Sequence, residues 1–181
     1  MPLDKSRMSD LSQPCHVLSR GAMLHVSALF RHYEGRLDKV CLLAGKVRDA
    51  IQAVDAFIQH HSAIACPRCE DVCCENRHAY YNYEDLVYIH GLGLTPHDCE
   101  QRDDAAPCQF LSPQGCRLER ALRPSRCNWY FCDALYDSME KAPGEAYARY
   151  DESLRSVAEL WMEMIEEFRK VTGDAPELWS G

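Results

Sequence analysis

The stretch Tyr33–Ile58, YEGRLDKVCLLAGKVRDAIQAVDAFI, carries the reading that decides the fold. Its apolar residues Tyr33, Leu37, Val40, Ala44, Val47, Ile51, Val54 and Ile58 recur at alternating spacings of four and three, which sets them on one stripe of a helix about seven turns long. The same alternation returns in Tyr147, Tyr150, Leu154, Val157, Trp161, Met164, Phe168 and Val171, with Pro143 before the pattern and Gly173 placed to stop it. Two long amphipathic helices are therefore expected, over residues 28–62 and 143–172, with an irregular N-terminus over 1–25. Neither stripe has a regular charge code beside it, so the two are expected to pack on each other within one chain rather than in an intermolecular coiled coil.

Between them the pattern changes. A shorter helix, Tyr83–His90, is expected to enter through Asn82 as a cap and to end at Gly91. Residues 92–116 hold Gly93, Pro96, Pro107, Pro113 and Gly115 with no sustained period, a segment that needs something other than an apolar core to order it. Eight of the eleven cysteines lie in or beside this region, in two runs: Cys66, Cys69, Cys73 and Cys74, then Cys108, Cys116, Cys127 and Cys132. Thiolates are preferred ligands of zinc and of iron–sulfur clusters, and structural sites of either kind commonly take four sulfurs. Cys66-Pro-Arg-Cys69 is a C-x2-C turn able to aim two sulfurs at one metal, and Cys108 and Cys116 bracket a hairpin expected to close around Pro113-Gln114-Gly115. The neighbours Cys73 and Cys74 do not point the same way in an extended chain, so one of them can serve a different metal or act in packing.

A length of 181 residues and an apolar fraction of 46% fit one compact domain. The first thirty residues hold no apolar stretch of signal-peptide length and no run is long enough to span a bilayer, so a cytoplasmic protein with no membrane partner is expected. In a reducing compartment a dense cysteine pattern reads as metal binding rather than a disulfide framework. The net charge of -8 argues against nucleic acid as a partner.

The segment Cys66–Cys132 resembles the CxxCxxCC cysteine-cluster family, also called YkgJ-like. The resemblance is carried by Cys66-x2-Cys69, the pair Cys73-Cys74, Cys108-Gln109-Phe110-Leu111, Gly115-Cys116, Arg123-Pro124 and Cys127, about a third of the chain. The chain departs from the family pattern in having Glu70-Asp71-Val72 before the pair, and a stretch from Cys116 to Arg123 about one residue longer. The likeness implies a zinc- or iron-chelating domain. Some flagellin lysine N-methylases resemble the same cluster, and that likeness implies an iron–sulfur centre as the alternative; their activity is not carried over. The two groups of four and the family description lean toward zinc.

The remaining candidates have plainer readings. Cys41 reads as a small buried residue of the first long helix, and Cys15 as a free thiol of the terminus; Cys99 can supply a ninth sulfur or replace Cys73 or Cys74. His60, His61, His78, His90 and His97 are possible nitrogen ligands, but eight sulfurs already suffice. Arg117, Arg120, Arg123 and Arg126 recur at three-residue intervals and read as compensation of thiolate charge or a solvated face, with an acidic or phosphate partner as the alternative. Trp129, Tyr130 and Phe131 read as a dry lid over the sulfurs. Gly91-Leu92-Gly93 lacks the strand and helix of a nucleotide loop and reads as a helix terminator. The expectation is thus a mainly α protein, two long helices with an irregular cysteine-rich insertion over 66–132 and one short helix, holding zinc in a structural or metal-handling role. An iron–sulfur redox protein or enzyme and a metal-shaped interaction adaptor are the alternatives.

Overall fold

The computed structural model describes residues 15–68, 72–100 and 102–173, the side chains of residues 15–19 and 68 excepted. It is mainly helical, with helices α1 (Cys15–His32), α2 (Asp38–Ala65), α3 (Tyr83–Gly91), α4 (Arg126–Trp129), α5 (Asp133–Met139) and α6 (Gly144–Thr172), and one two-stranded hairpin, β1 (Leu111–Ser112) with β2 (Gly115–Cys116). No helix among the described residues is long and apolar enough to cross a membrane.

The long pair expected from the periodicity is the scaffold. α2 packs lengthwise on α6. It buries Val40, Ala44, Val47, Ile51, Val54 and Ile58, six of the eight stripe residues, together with Leu43 and His61. α6 answers with Tyr150, Val157, Met164, Ile165 and Phe168. Gly173 stops it in the left-handed conformation, its N–H bonded to the Arg169 carbonyl.

Two boundaries are corrected. The helix expected over 28–62 is two helices, because Gly35 adopts a φ of 75° that L side chains rarely take and turns the chain between α1 and α2. Tyr33 and Leu37 therefore lie between the two helices. Leu37 still reaches the core, buried at the start of α2, and α2 runs on to Ala65. The N-terminus expected to be irregular over 1–25 is helical from Cys15, and α1 buries Ala22 and Val26. Cys41, expected to be buried, is exposed, because it follows Val40 and lies off the buried stripe.

α3 is buried on most of its circumference. Leu86, Val87, Tyr88 and Ile89 all belong to the core it shares with α1, α2 and α6. Its N-terminus is a reciprocal capping box: the Asp85 N–H donates to Asn82 Oδ1 at 2.7 Å and the Asn82 N–H to Asp85 Oδ2 at 2.9 Å. The helix ends at Gly91 as expected, though not through a left-handed glycine cap. A Cβ on Gly91 would stand 2.9 Å from the Ala44 Cβ, so the glycine lets α3 approach α2; the left-handed residue is Gly93. A second apolar cluster, at the far end of α2, joins Val54 and Ile58 to Phe131, Leu135, Met139 and Tyr150. It anchors α5, a helix the periodicity did not predict.

Gly91→Ala gains helix propensity of up to about 1 kcal/mol, yet forces the α2–α3 contact apart. The net effect expected is a loss of about 1–2 kcal/mol in urea unfolding with an unchanged m-value.

Candidate metal centre

The cysteines reach one region by distinct local means. Cys66 sits on a single 3-10 turn, Cys66–Arg68, continuous with the end of α2, and its N–H donates to the Ser62 carbonyl. The second part of the first run is tied to the loop before the hairpin: the Cys108 N–H donates to the Cys74 carbonyl at 2.8 Å, Asn76 N–H to Ala106 O at 2.8 Å, and Glu75 bridges Pro107 in antiparallel fashion. The expected hairpin is present, pairing Leu111 with Cys116 and Ser112 with Gly115. Gly115 takes the left-handed φ of 103° that closes it. Cys108 and Cys116 lie at its mouth, packed on Ala79, Phe110 and Leu118. Cys127 lies in α4, and Cys132 caps α5 beside the second apolar cluster.

Electrostatic neighbours link sulfurs of the two runs. Burial pushes the Cys127 thiol up to about 12, reinforced by the charges of Cys116, Cys108 and Cys74 and opposed by Arg123. Burial raises Cys74, followed by Cys66, Cys108 and Cys116. Burial also raises Cys108, and Cys116 adds to it. Cys74, Cys108, Cys116 and Cys127 thus feel one another. Burial likewise pushes Cys73 up to about 12, but its strongest partner is Cys132, which it also meets in a side-chain hydrogen bond, with Cys74 and Cys66 adding to the rise. Cys66 acts on both members of the vicinal pair, standing first among the cysteine charges that raise Cys74 and last among those that raise Cys73. Cys69 lies outside the described residues.

No disulfide joins Cys73, Cys74, Cys99, Cys108, Cys116, Cys127 or Cys132. Among the described residues, no three His, Cys, Asp or Glu side chains stand in an arrangement that could hold a metal ion. Cys99 is peripheral. Its thiol lies 3.7 Å from the Ala79 carbonyl and 3.9 Å from the His97 carbonyl, and Cys108 is its one cysteine neighbour among the causes that shift it.

Two expectations for the surroundings are corrected. The arginine row is not a common face, because each side chain is drawn to a different carbonyl, carboxylate or ring, while the expected compensation of thiolate charge is seen at Arg123, whose charge opposes the rise of Cys127. Arg120 is 4% exposed, pairs with Asp55 of α2 and donates to the Cys127 carbonyl at 3.3 Å. Arg117 donates to Gln109 O at 2.6 Å, Arg123 to Leu118 O at 3.0 Å, and Arg126 lies 3.0 Å from His78 Nδ1. Nor do Trp129, Tyr130 and Phe131 form a lid. Trp129 meets Trp161 of α6 edge-on at 5.4 Å, Phe131 is buried near Tyr150, and Tyr130 is 58% exposed. The aromatic pair clamps the cysteine segment to α6.

The periodicity did not single out Asp55 or Asp85. Asp55 sits beside the α2 stripe and looks like a surface charge until its partner is known. Asp85 shows in sequence only as the fourth residue of Asn82-Tyr-Glu-Asp85, a capping signal; its other oxygen accepts from the Ser125 N–H at 2.9 Å, locking the turn before Cys127 to α3. Burial pushes the Asp85 carboxyl up to about 6, against hydrogen bonds from Ser125 and Asn82 that favour its charged form. No family model matches the chain, and searches of curated proteins and of solved structures found no match.

Asp55→Ala strands a buried guanidinium. A loss of about 2 kcal/mol in urea unfolding is expected, below the range for a fully buried pair because the Asp55 side chain is 38% exposed. Asp85 holds its proton to a higher pH in the folded chain than its ordinary 3.8, so the folded state binds more protons than the unfolded between about pH 4 and 6. Stability should fall as pH rises through that window, by roughly 2–3 kcal/mol, and this fall should be absent from Asp85→Asn and remain when the variant's profile is subtracted from wild type.

Proposed function

We propose that this protein binds metal through its cysteine thiolates, with zinc as the metal and a structural or metal-handling role. The observation that carries the reading is the gathering of seven cysteines from two distant runs, with the thiols of Cys73, Cys74, Cys108 and Cys127 raised by burial and by the charges of the other cysteines. Partly buried thiolates of like charge repel, and a divalent cation relieves that repulsion while holding them deprotonated. One proposed set has four members, Cys74, Cys108, Cys116 and Cys127. The other has Cys66, Cys73 and Cys132, with Cys69 as its fourth. Two tetrahedral four-sulfur zinc sites are the proposed stoichiometry.

The donor chemistry fits zinc, which would supply order rather than reaction chemistry here. The described thiols do not stand in a holding arrangement, so binding must draw them inward and order the segment between α2 and α5. The likeness to the CxxCxxCC family supports the same reading, and the reducing environment thiolates require favours the cytoplasm. The adaptor reading loses its arginine face, since Arg117, Arg120 and Arg123 are engaged within the chain.

Elemental analysis of natively expressed protein is expected to give about two zinc per chain in a colourless sample. Cys127→Ser and Cys132→Ser should each leave about one, while the exposed Cys41→Ser leaves the content unchanged. A brown sample with iron and acid-labile sulfide replaces zinc with a cluster on the same sulfurs. Equal metal in all three variants, or a metal-free protein whose 72–132 segment is fully protected from hydrogen exchange, overturns the reading.

A further inference from the structure

A cavity of about 350 Å³ opens between the end of α2, the end of α5 and the first turn of α6. None of its lining residues is a cysteine. That volume is at the lower end of the range of small-molecule sites. Its apolar walls are Phe57, Ile64, Ala142, Pro143 and Ala146. Phe57 is fixed between two rings, stacked on Tyr150 at 4.5 Å and against His61 at 4.5 Å, so this wall does not collapse inward. Ile64, at the rim, is 47% exposed, a large side chain left without a cover.

The polar groups are few. His61 is buried, and its Nδ1 lies 3.0 Å from Ser138 Oγ. Burial and the neighbouring His60 hold its pKa below the ordinary value, so the imidazole is neutral at pH 7 and Lys141 supplies the one fixed positive charge lining the cavity. No lining residue is acidic. The wall built by Pro143 and Ala146 is the start of α6, whose first turn has no side-chain cap and carries the exposed carboxylate of Glu145, paired along the helix with Arg149; the dipole favours negative charge at this end.

We infer that this cavity binds a small organic carboxylate of benzoate size, with its apolar body against Phe57, Ile64 and Pro143 and its carboxylate between Lys141 and Ser138. A single ammonium matches a monoanion, and walls this apolar leave a phosphate dianion poorly compensated. The inference does not depend on the cysteines.

The test is titration of the full-length, metal-loaded protein with sodium benzoate, followed by amide and methyl NMR shifts, with benzyl alcohol and inorganic phosphate as controls. Saturable shifts confined to the cavity residues are expected, with a Kd below about 1 mM, and weaker binding of benzyl alcohol and phosphate. Lys141→Gln should weaken benzoate about tenfold and leave benzyl alcohol unchanged, the mark of a charge-assisted contact; Ser138→Ala should weaken benzoate to a lesser degree. No saturable shift at benzoate concentrations of about 10 mM overturns the inference, as do shifts centred elsewhere, equal binding of benzyl alcohol, or an unchanged Kd in Lys141→Gln.

Discussion

The ion pair between the buried Arg120 and the partly exposed Asp55 is the interaction on which the cysteine segment depends. A guanidinium taken out of water is tolerable only if its donors are occupied, and Arg120 occupies them with a carboxylate from the middle of α2 and the carbonyl of Cys127. One side chain thereby ties the scaffold helix, the turn at residues 120–122 and the backbone of a candidate ligand. Asp85 does the complementary job from α3, accepting the Ser125 N–H from the other side of the same turn. In the stretch Arg120–Cys127, Ala121 is buried in the main core and Leu122 packs against it, and these two carboxylates add polar ties to that packing.

The scaffold explains why such pins can work. α2 contributes twice, delivering Cys66 from its C-terminal turn and Asp55 about three turns earlier. α6 carries no cysteine, but its Trp161 and Tyr150 receive Trp129 and approach Phe131, the residues that flank the second run between Cys127 and Cys132. A rigid two-helix platform thus fixes both ends of a segment whose interior is mostly turns.

What could be seen in the amino-acid order follows from the range of each signal. The stripe Val40 to Ile58 repeats often enough that its burial was readable, and so was the α6 stripe. The Asn82 cap and the Pro113–Gly115 turn are local chemistry and were equally visible. Gly35 defeats the same method, because a period continues smoothly across a residue that breaks the helix; the break is a property of one φ angle. α5 was missed because seven residues are too few to establish a period, and it is stabilised by Phe131 and Leu135 reaching α2 and α6. The arginine row misled for a related reason. Regular spacing implies a common face only if the backbone is regular, and Arg117–Arg126 passes through a strand end, a 3-10 turn and one turn of α-helix. At the cysteines, residue type and spacing pointed to chemistry, while the proposed division into two sets depends on which loop lies beside which.

That division turns on Cys73 and Cys74. The Cys74 carbonyl accepts the Cys108 N–H, placing Cys74 beside the hairpin cysteines, whereas Cys73 engages Cys132 at the start of α5. Adjacent residues in extended backbone project to opposite sides, so a vicinal pair is well suited to serve two centres and poorly suited to serve one. It also couples them, for each charge acts across a single peptide and the Cys74 charge already raises Cys73. In the proposed zinc reading, neutralising either set lowers the cost of deprotonating the other, so the two sites fill with positive linkage and lose metal together as thiols are protonated. The order that the segment between α2 and α5 gains on binding is then gained as a unit.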